Sequence, residues 1–272
     1  MKIARFLYQN KSYYGAADGG EFYIIDGGIY TEYRVTDTAI KAEEVTLLPP
    51  CLPSKIVCVG LNYHAHRLEM NDFADTFPKL FLKPSTAVIA HGERIICPDG
   101  VDRVDFEAEF AAVIKKTAKS VPKGSAREYI LGYTCLNDVT ARELQAQDGQ
   151  WTRAKSFDTF APIGPVIATD ANPDKLGLRL LLNGEIKQQS SADQLIWGID
   201  FLVEEISKIM TLLPGDIIST GTPGGCGKME IGDKVEVAAD GIGTLTNYFT
   251  GSGRNADESA ARHQGRAAER SL

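Results

Sequence analysis

Three acidic residues pose the first chemical question. Glu107 and Glu109 stand two apart in "VDFEAEF" (104–110), and Asp138 closes the apolar run of "GYTCLNDVTARELQ" (132–145). Side chains alternate along a strand, so Val104, Phe106, Ala108 and Phe110 share one side while Asp105, Glu107 and Glu109 line the other. An isolated E-x-E is most often the solvated face of an edge strand, and a lone aspartate at a strand end is as often a turn or helix-start residue. A strand-to-helix corner can nevertheless project Asp138 into a cleft shared with the two glutamates. Oxygen-only donors of that kind select a hard divalent cation, Mg²⁺ first, with Mn²⁺ or Ca²⁺ as substitutes.

Other groups could serve such a centre. Arg142 and Gln145 lie three apart, on one face of the helix expected to open at Thr140, and Arg142 could clamp a carboxylate bidentately. Thr140 and Glu143 have the spacing of a capping box. Lys155, in "WTRAKSFDTFAPIGP", could bind a substrate carboxylate or, if desolvated, act as a base. His66 and Glu69, in "VGLNYHAHRLEM", are spaced to touch on a helix, where a carboxylate orients an imidazole for general-base work; "NDFADTFPK" after them reads as a polar, turn-prone lid. His64 is left as structural. The glycine-rich "STGTPGGCGKMEIGD" does not fit a phosphate loop, which would need glycine at Thr222 and a hydroxyl at Met229; it reads as a tight loop bringing Thr222 and backbone N–H groups to a ligand. H-E-x-x-H, G-x-S-x-G and dinucleotide fingerprints are absent from the sequence.

These side chains need a rigid frame, and the sequence reads as an α+β fold that is mainly β. "RLLLNGEIK" and "KVEVAADGIGTL" place Asn-Gly and Asp-Gly between apolar runs, the signature of tight hairpins. Helical periodicity shows in "LIWGIDFLVEEISKIMTLL" (195–213), stopped by Pro214-Gly215. Residues 1–52 read as a small strand-rich unit, with "EFYII" and "IYTEYRV" joined through Asp26-Gly27-Gly28, and the proline-rich "LLPPCLPSK" marks a boundary. Residues 53–250 form the catalytic unit. The tail 251–272 lacks aromatic and β-branched residues and is expected to be disordered.

Composition narrows the function. A net charge of −7 argues against a nucleic-acid surface, and no run reaches the ~18 apolar residues of a membrane span. Five cysteines without a C-x-x-C pair suit reduced thiols, hence a cytoplasmic setting.

Taken in order, "VGLNYHAH", "FLKPS", "DFEAEF", "GYTCLNDVTAREL", "KSFDTFAPIGP", "LNGE" and "LLPGDIISTGTPGG" make the chain resemble the fumarylacetoacetate hydrolase family over about residues 53–248. The resemblance implies a mixed β-sandwich roll, a homodimer, and Mg²⁺ or Mn²⁺ held by Glu107, Glu109 and Asp138. It implies that Arg142, Gln145, Lys155 and Thr222 surround a small anionic 2-oxo acid. His66 and Glu69 match the water-activating dyad of members that cleave C–C bonds. Residues 1–52 resemble the N-terminal unit of bacterial members labelled 2-hydroxyhepta-2,4-diene-1,7-dioate isomerase. Glu143 departs from the family's usual Asp. The expected reaction is metal-assisted cleavage of a 2,4-dioxo acid, as in an acylpyruvate hydrolase, or decarboxylation of an oxaloacetate-type acid, each through a metal-stabilised enolate. Hydroxydienoate isomerisation is the alternative enzyme, and a non-catalytic protein with a structural Ca²⁺ the alternative of another class.

Overall fold

The computed structural model describes residues 1–65, 67 and 77–252. The first five strands are β1 (Lys2–Tyr8), β2 (Lys11–Asp18), β3 (Glu21–Gly27), β4 (Tyr33–Lys41) and β5 (Thr46–Leu48). Then come β6 (Lys55–Gly60), β7 (Lys79–Pro84), β8 (Val88–Ile89), β9 (Arg94–Cys97), β10 (Val104–Phe106), β11 (Ala108–Ile114), β12 (Ile130–Asn137) and β13 (Thr140–Ala141). Two short helices, α1 (Arg142–Asp148) and α2 (Thr152–Lys155), precede β14 (Ala161–Ala168), β15 (Gly177–Leu182) and β16 (Glu185–Ser191). Helix α3 (Ile199–Ile209) leads to β17 (Ile217–Ser219), β18 (Gly227–Lys228), β19 (Lys234–Ala239) and β20 (Gly243–Gly251).

The largest sheet runs β4-β3-β2-β1-β14-β12-β11-β17-β6-β7, with β5 on β1 and β8 on β14. A second sheet runs β16-β15-β19-β20-β9, and β13-β10-β18 forms a small third. Most pairings are antiparallel, while β6–β17, β8–β14 and β9–β20 are parallel, giving the mixed, mainly β architecture. Strand β11 is buried along its length because both its faces are covered: Phe110, Ala112 and Ile114 belong to one apolar cluster, Ala111 and Val113 to another. The hairpins fall where Asn-Gly and Asp-Gly stand, and Asn183 and Gly184 both take the positive φ of a tight turn (54° and 84°). The N-terminal strands continue the main sheet, since β1 pairs with β14 through Lys2–Ala168 and Ile3–Ile167.

Three local expectations are corrected. "VDFEAEF" is not one strand: the ladder breaks at Glu107, whose N–H is taken by the Asn137 side chain at 2.9 Å, so β10 and β11 enter different sheets. The capping box does not form. Helix α1 starts at Arg142 after Ala141, without a side-chain cap, because the Thr140 hydroxyl donates to the Asp138 carbonyl at 2.8 Å. Helix α3 is shorter than its apolar pattern, since Leu212 leaves the helix to bridge to Ala118.

Candidate active site

Antiparallel pairing of Ala108 with Asn137 puts the start of β11 beside the end of β12. Glu107 and Glu109 flank Ala108, and Asp138 follows Asn137, so the three carboxyls converge at one end of the main sheet. They are buried, and one oxygen from each lies within 4.8 Å of the others. The Asp138 N–H donates to the Glu107 carbonyl at 2.8 Å, which locks the corner. Glu109 Oε2 accepts the Ser219 hydroxyl from β17 and the Gly221 N–H at 2.8 Å. Gly221 has φ 92°, and a Cβ there would lie 2.8 Å from the Val59 carbonyl oxygen, so glycine permits this close approach.

Cations surround the acids. Lys83, buried on β7, donates to Asp138 Oδ1 at 2.6 Å and to the Val139 carbonyl at 3.0 Å. Lys155, at the end of α2, donates to Glu107 Oε2 at 2.8 Å and Asp138 Oδ2 at 2.5 Å. Arg142 reaches Glu107 Oε1 at 2.5 Å, Asp105 Oδ2 at 2.9 Å and Gln145 Oε1 at 2.6 Å. Asp105 is thus not part of the converging set. It pairs with Arg103 and Arg142 and anchors the latter.

The ionisation states follow from this packing. Burial, and next the Asp138 carboxylate, push the Glu109 carboxyl up to about 8 against the opposing Ser219 hydrogen bond. Burial works to lower Lys155, but Asp138 and Glu107 outweigh it and hold the ammonium above the usual lysine range. Lys155 is therefore suited to clamp an anion rather than to act as a base.

The carboxylates open into a cleft of about 270 Å³ lined also by Leu61, Phe81, Arg142, Gln145, Trp151, Lys155 and Thr222. Phe81 meets Trp151 edge-on at 5.1 Å and 70°, and the Lys155 ammonium lies 5.0 Å from the Phe81 ring centroid. Gln188 of β16 donates to the Thr222 hydroxyl oxygen at 2.8 Å, leaving the Thr222 hydrogen to donate elsewhere. The same amide accepts the Ala108 N–H at 2.9 Å, tying this loop to the glutamate-bearing turn.

The structure thus gathers Glu107, Glu109, Asp138, Arg142, Gln145, Lys155 and Thr222 around one cleft. His66 and Glu69, with residues 71–76 of the expected lid, lie outside the described residues; His64 is exposed. Sequence reasoning missed Lys83, Trp151, Gln188 and Ser219. For Lys83 a signal existed, a lysine following the apolar run of the strand "KLFLKP", which also opens on Lys79. The donor set fits a divalent cation: three convergent buried carboxylates that repel one another, one of them holding a proton that a cation would displace.

Known proteins carry the same frame. Residues 55–250 match the family model described as fumarylacetoacetate (FAA) hydrolase C-terminal, and residues 1–50 one described as Rv2993c-like, N-terminal. Oxaloacetate tautomerase YisK of Bacillus subtilis is 41% identical over 211 residues, 72% of this chain and 70% of that protein. The 2-hydroxyhepta-2,4-diene-1,7-dioate isomerase structure from Mycobacterium marinum superposes with a TM-score of 0.87 at 40% identity, covering 93% of this chain and 100% of that one. Maleylpyruvate hydrolase from Sphingobium sp. SYK-6, solved with manganese(II) and pyruvate, superposes with a TM-score of 0.78 at 27% identity over the same shares.

Proposed function

The chain belongs to the fumarylacetoacetate hydrolase family, and from that premise we propose that it is a divalent-cation-dependent enzyme of small 2-oxo acids, cleaving the C–C bond of an acylpyruvate. The observation that carries this reading is the convergence of Glu107, Glu109 and Asp138 at the floor of a cleft bordered by Arg142 and Lys155.

Glu107, Glu109 and Asp138 would hold Mg²⁺ or Mn²⁺, and a bound cation supplies a Lewis acid for the substrate's 2-oxo group. Arg142, aligned by Asp105, and Lys155, kept charged, bind the substrate carboxylate. Thr222, its oxygen occupied by Gln188, donates its hydrogen to a substrate oxygen. Phe81 and Trp151 exclude water from the carboxylate side of the cleft. In this reading His66, oriented by Glu69, takes a proton from water, and the hydroxide attacks the distal carbonyl. The C3–C4 bond breaks, its electron pair stays with the pyruvate half, and C3 is protonated on release. Acylpyruvate and water thereby give a carboxylate, pyruvate and a proton.

A second reading has a specific warrant in the 41% identity to an oxaloacetate tautomerase. The same grip would then serve to move a proton between C3 and the 2-oxo oxygen, with no water consumed. The two readings separate in one experiment on the purified protein with Mg²⁺. Acetylpyruvate and oxaloacetate are each followed by loss of enol absorbance, and pyruvate is assayed as product. Hydrolysis predicts pyruvate from acetylpyruvate, abolished by EDTA and by His66→Ala. Tautomerisation predicts turnover of enol oxaloacetate that survives His66→Ala. Turnover that ignores EDTA sinks both. We also propose a homodimer, which light scattering would register as about twice the 29.6 kDa chain.

A further inference from the structure

The hydrogen bonds divide the site oxygens between permanent and exchangeable partners. Lys83 takes Asp138 Oδ1 and is itself fixed by the Val139 carbonyl. Arg142 takes Glu107 Oε1 and is fixed by Asp105 and Gln145. Ser219 and Gly221 take Glu109 Oε2. On the other oxygen of two of these carboxyls, Glu107 Oε2 and Asp138 Oδ2, sits the Lys155 ammonium, at 2.8 and 2.5 Å.

A cation held by the three carboxyls would draw on those oxygens, at about 2.0–2.1 Å for Mg²⁺. A dication drawn to those oxygens faces the ammonium at close range, and their weakly screened repulsion in a buried site disfavours joint occupancy. The Lys155 nitrogen lies 5.0 and 5.9 Å from the ring centroids of Phe81 and Trp151, whose faces would still favour a cation that withdrew from the carboxyls toward the cleft. An anion in the cleft would complete that position.

We propose that Lys155 is the resident counter-cation of this carboxylate set, expelled when a divalent cation binds and captured by the carboxylate of the 2-oxo acid. Cation and substrate then bind cooperatively, each making room or charge for the other. The proposal rests on the metal and 2-oxo acid reading above and adds to it the coupling between the two ligands, which linkage requires to be reciprocal.

The test is calorimetric titration of Mn²⁺ into the full chain, stripped with EDTA and dialysed, without and with saturating pyruvate, for wild type and Lys155→Met. Pyruvate should tighten Mn²⁺ binding to wild type by about tenfold or more, within the usual range of coupling factors. Lys155→Met should bind Mn²⁺ more tightly than wild type in the absence of pyruvate and lose most of the pyruvate effect. Should the methionine variant fold poorly, Lys155→Gln carries the same expectation, and the reciprocal titration of pyruvate with and without Mn²⁺ tests wild type alone. Mn²⁺ binding that is equal in wild type and variant, or indifferent to pyruvate in wild type, overturns the proposal while leaving the metal site intact. Failure of wild type and both variants to bind Mn²⁺ overturns the functional reading as well.

Discussion

At the level of single residues, the site is a balance of buried charges that a divalent cation would resolve. Replacing Glu109 with Gln removes one ligand, and the stabilisation expected of a bound divalent cation, ~2.7 kcal/mol at a hundredfold excess over Kd, should vanish in thermal melts. Ionisation of Glu109 makes the metal-free protein sensitive to pH. Its carboxyl titrates near 8 when folded and in the ordinary carboxylate range when unfolded, so the folded state holds the extra proton between the two. Stability in EDTA should therefore fall as pH rises from about 5 to 8, and Glu109→Gln should flatten that slope. Mg²⁺ uptake, which displaces this proton, should strengthen over the same interval; a wild-type melting curve independent of pH in EDTA would contradict this account. Glu107, Glu109 and Asp138 stood out in the sequence only in combination, an E-x-E in an apolar run and an aspartate at a strand-to-helix corner, since either alone is commonly a surface feature. Gln188 could not be found that way, since the Ala108 N–H it accepts lies 80 positions away, and the apolar setting that marks Lys83 does not point to Asp138, 55 positions on.

At the level of elements, close backbone approaches position the aromatic wall and the loop bearing Thr222. Gly60 ends β6 beneath Trp151, and a Cβ there would stand 2.6 Å from the indole ring. Gly60→Ala should push Trp151 into the cleft at a stability cost of about 1–3 kcal/mol, and should raise KM more than it lowers kcat. Unchanged kinetics with unchanged Trp fluorescence would count against this. Asp216, fully buried just before β17, accepts hydrogen bonds from the backbone N–H groups of Ser54, Lys55 and Leu213 and from the Ser54 hydroxyl, and it pairs with the Lys55 ammonium. Asp216→Ala should cost about 2–4 kcal/mol in urea denaturation by leaving these donors unmet. The hairpins were legible because Asn-Gly and Asp-Gly carry their own backbone geometry. The break at Glu107 and the start of α1 were not, because the Asn137 side chain accepts the Glu107 N–H from across the sheet and the Thr140 hydroxyl turns back to the Asp138 carbonyl instead of capping the helix.

At the level of the whole molecule, the first strands are structural members of the main sheet. Ile3 packs in one cluster with Ile163 and Ile167, while Phe6 joins the other and stacks on Phe22 at 5.0 Å. Removing residues 1–50 should expose the β14 edge and both clusters, and the shortened chain should aggregate by light scattering. A monodisperse truncated protein that takes up Mn²⁺ as the full chain does would refute this. Among the described residues no helix is long and apolar enough to cross a membrane. The order β2-β1-β14 also has a consequence for biosynthesis. Ile3 leaves the ribosome long before Ile167, its registered neighbour, so at ~5–20 residues per second the nascent N-terminal meander waits on the order of ten seconds for its inner flank. Throughout that delay its apolar underside lacks the β14 flank, which leaves it open to chaperone capture or misassociation during synthesis.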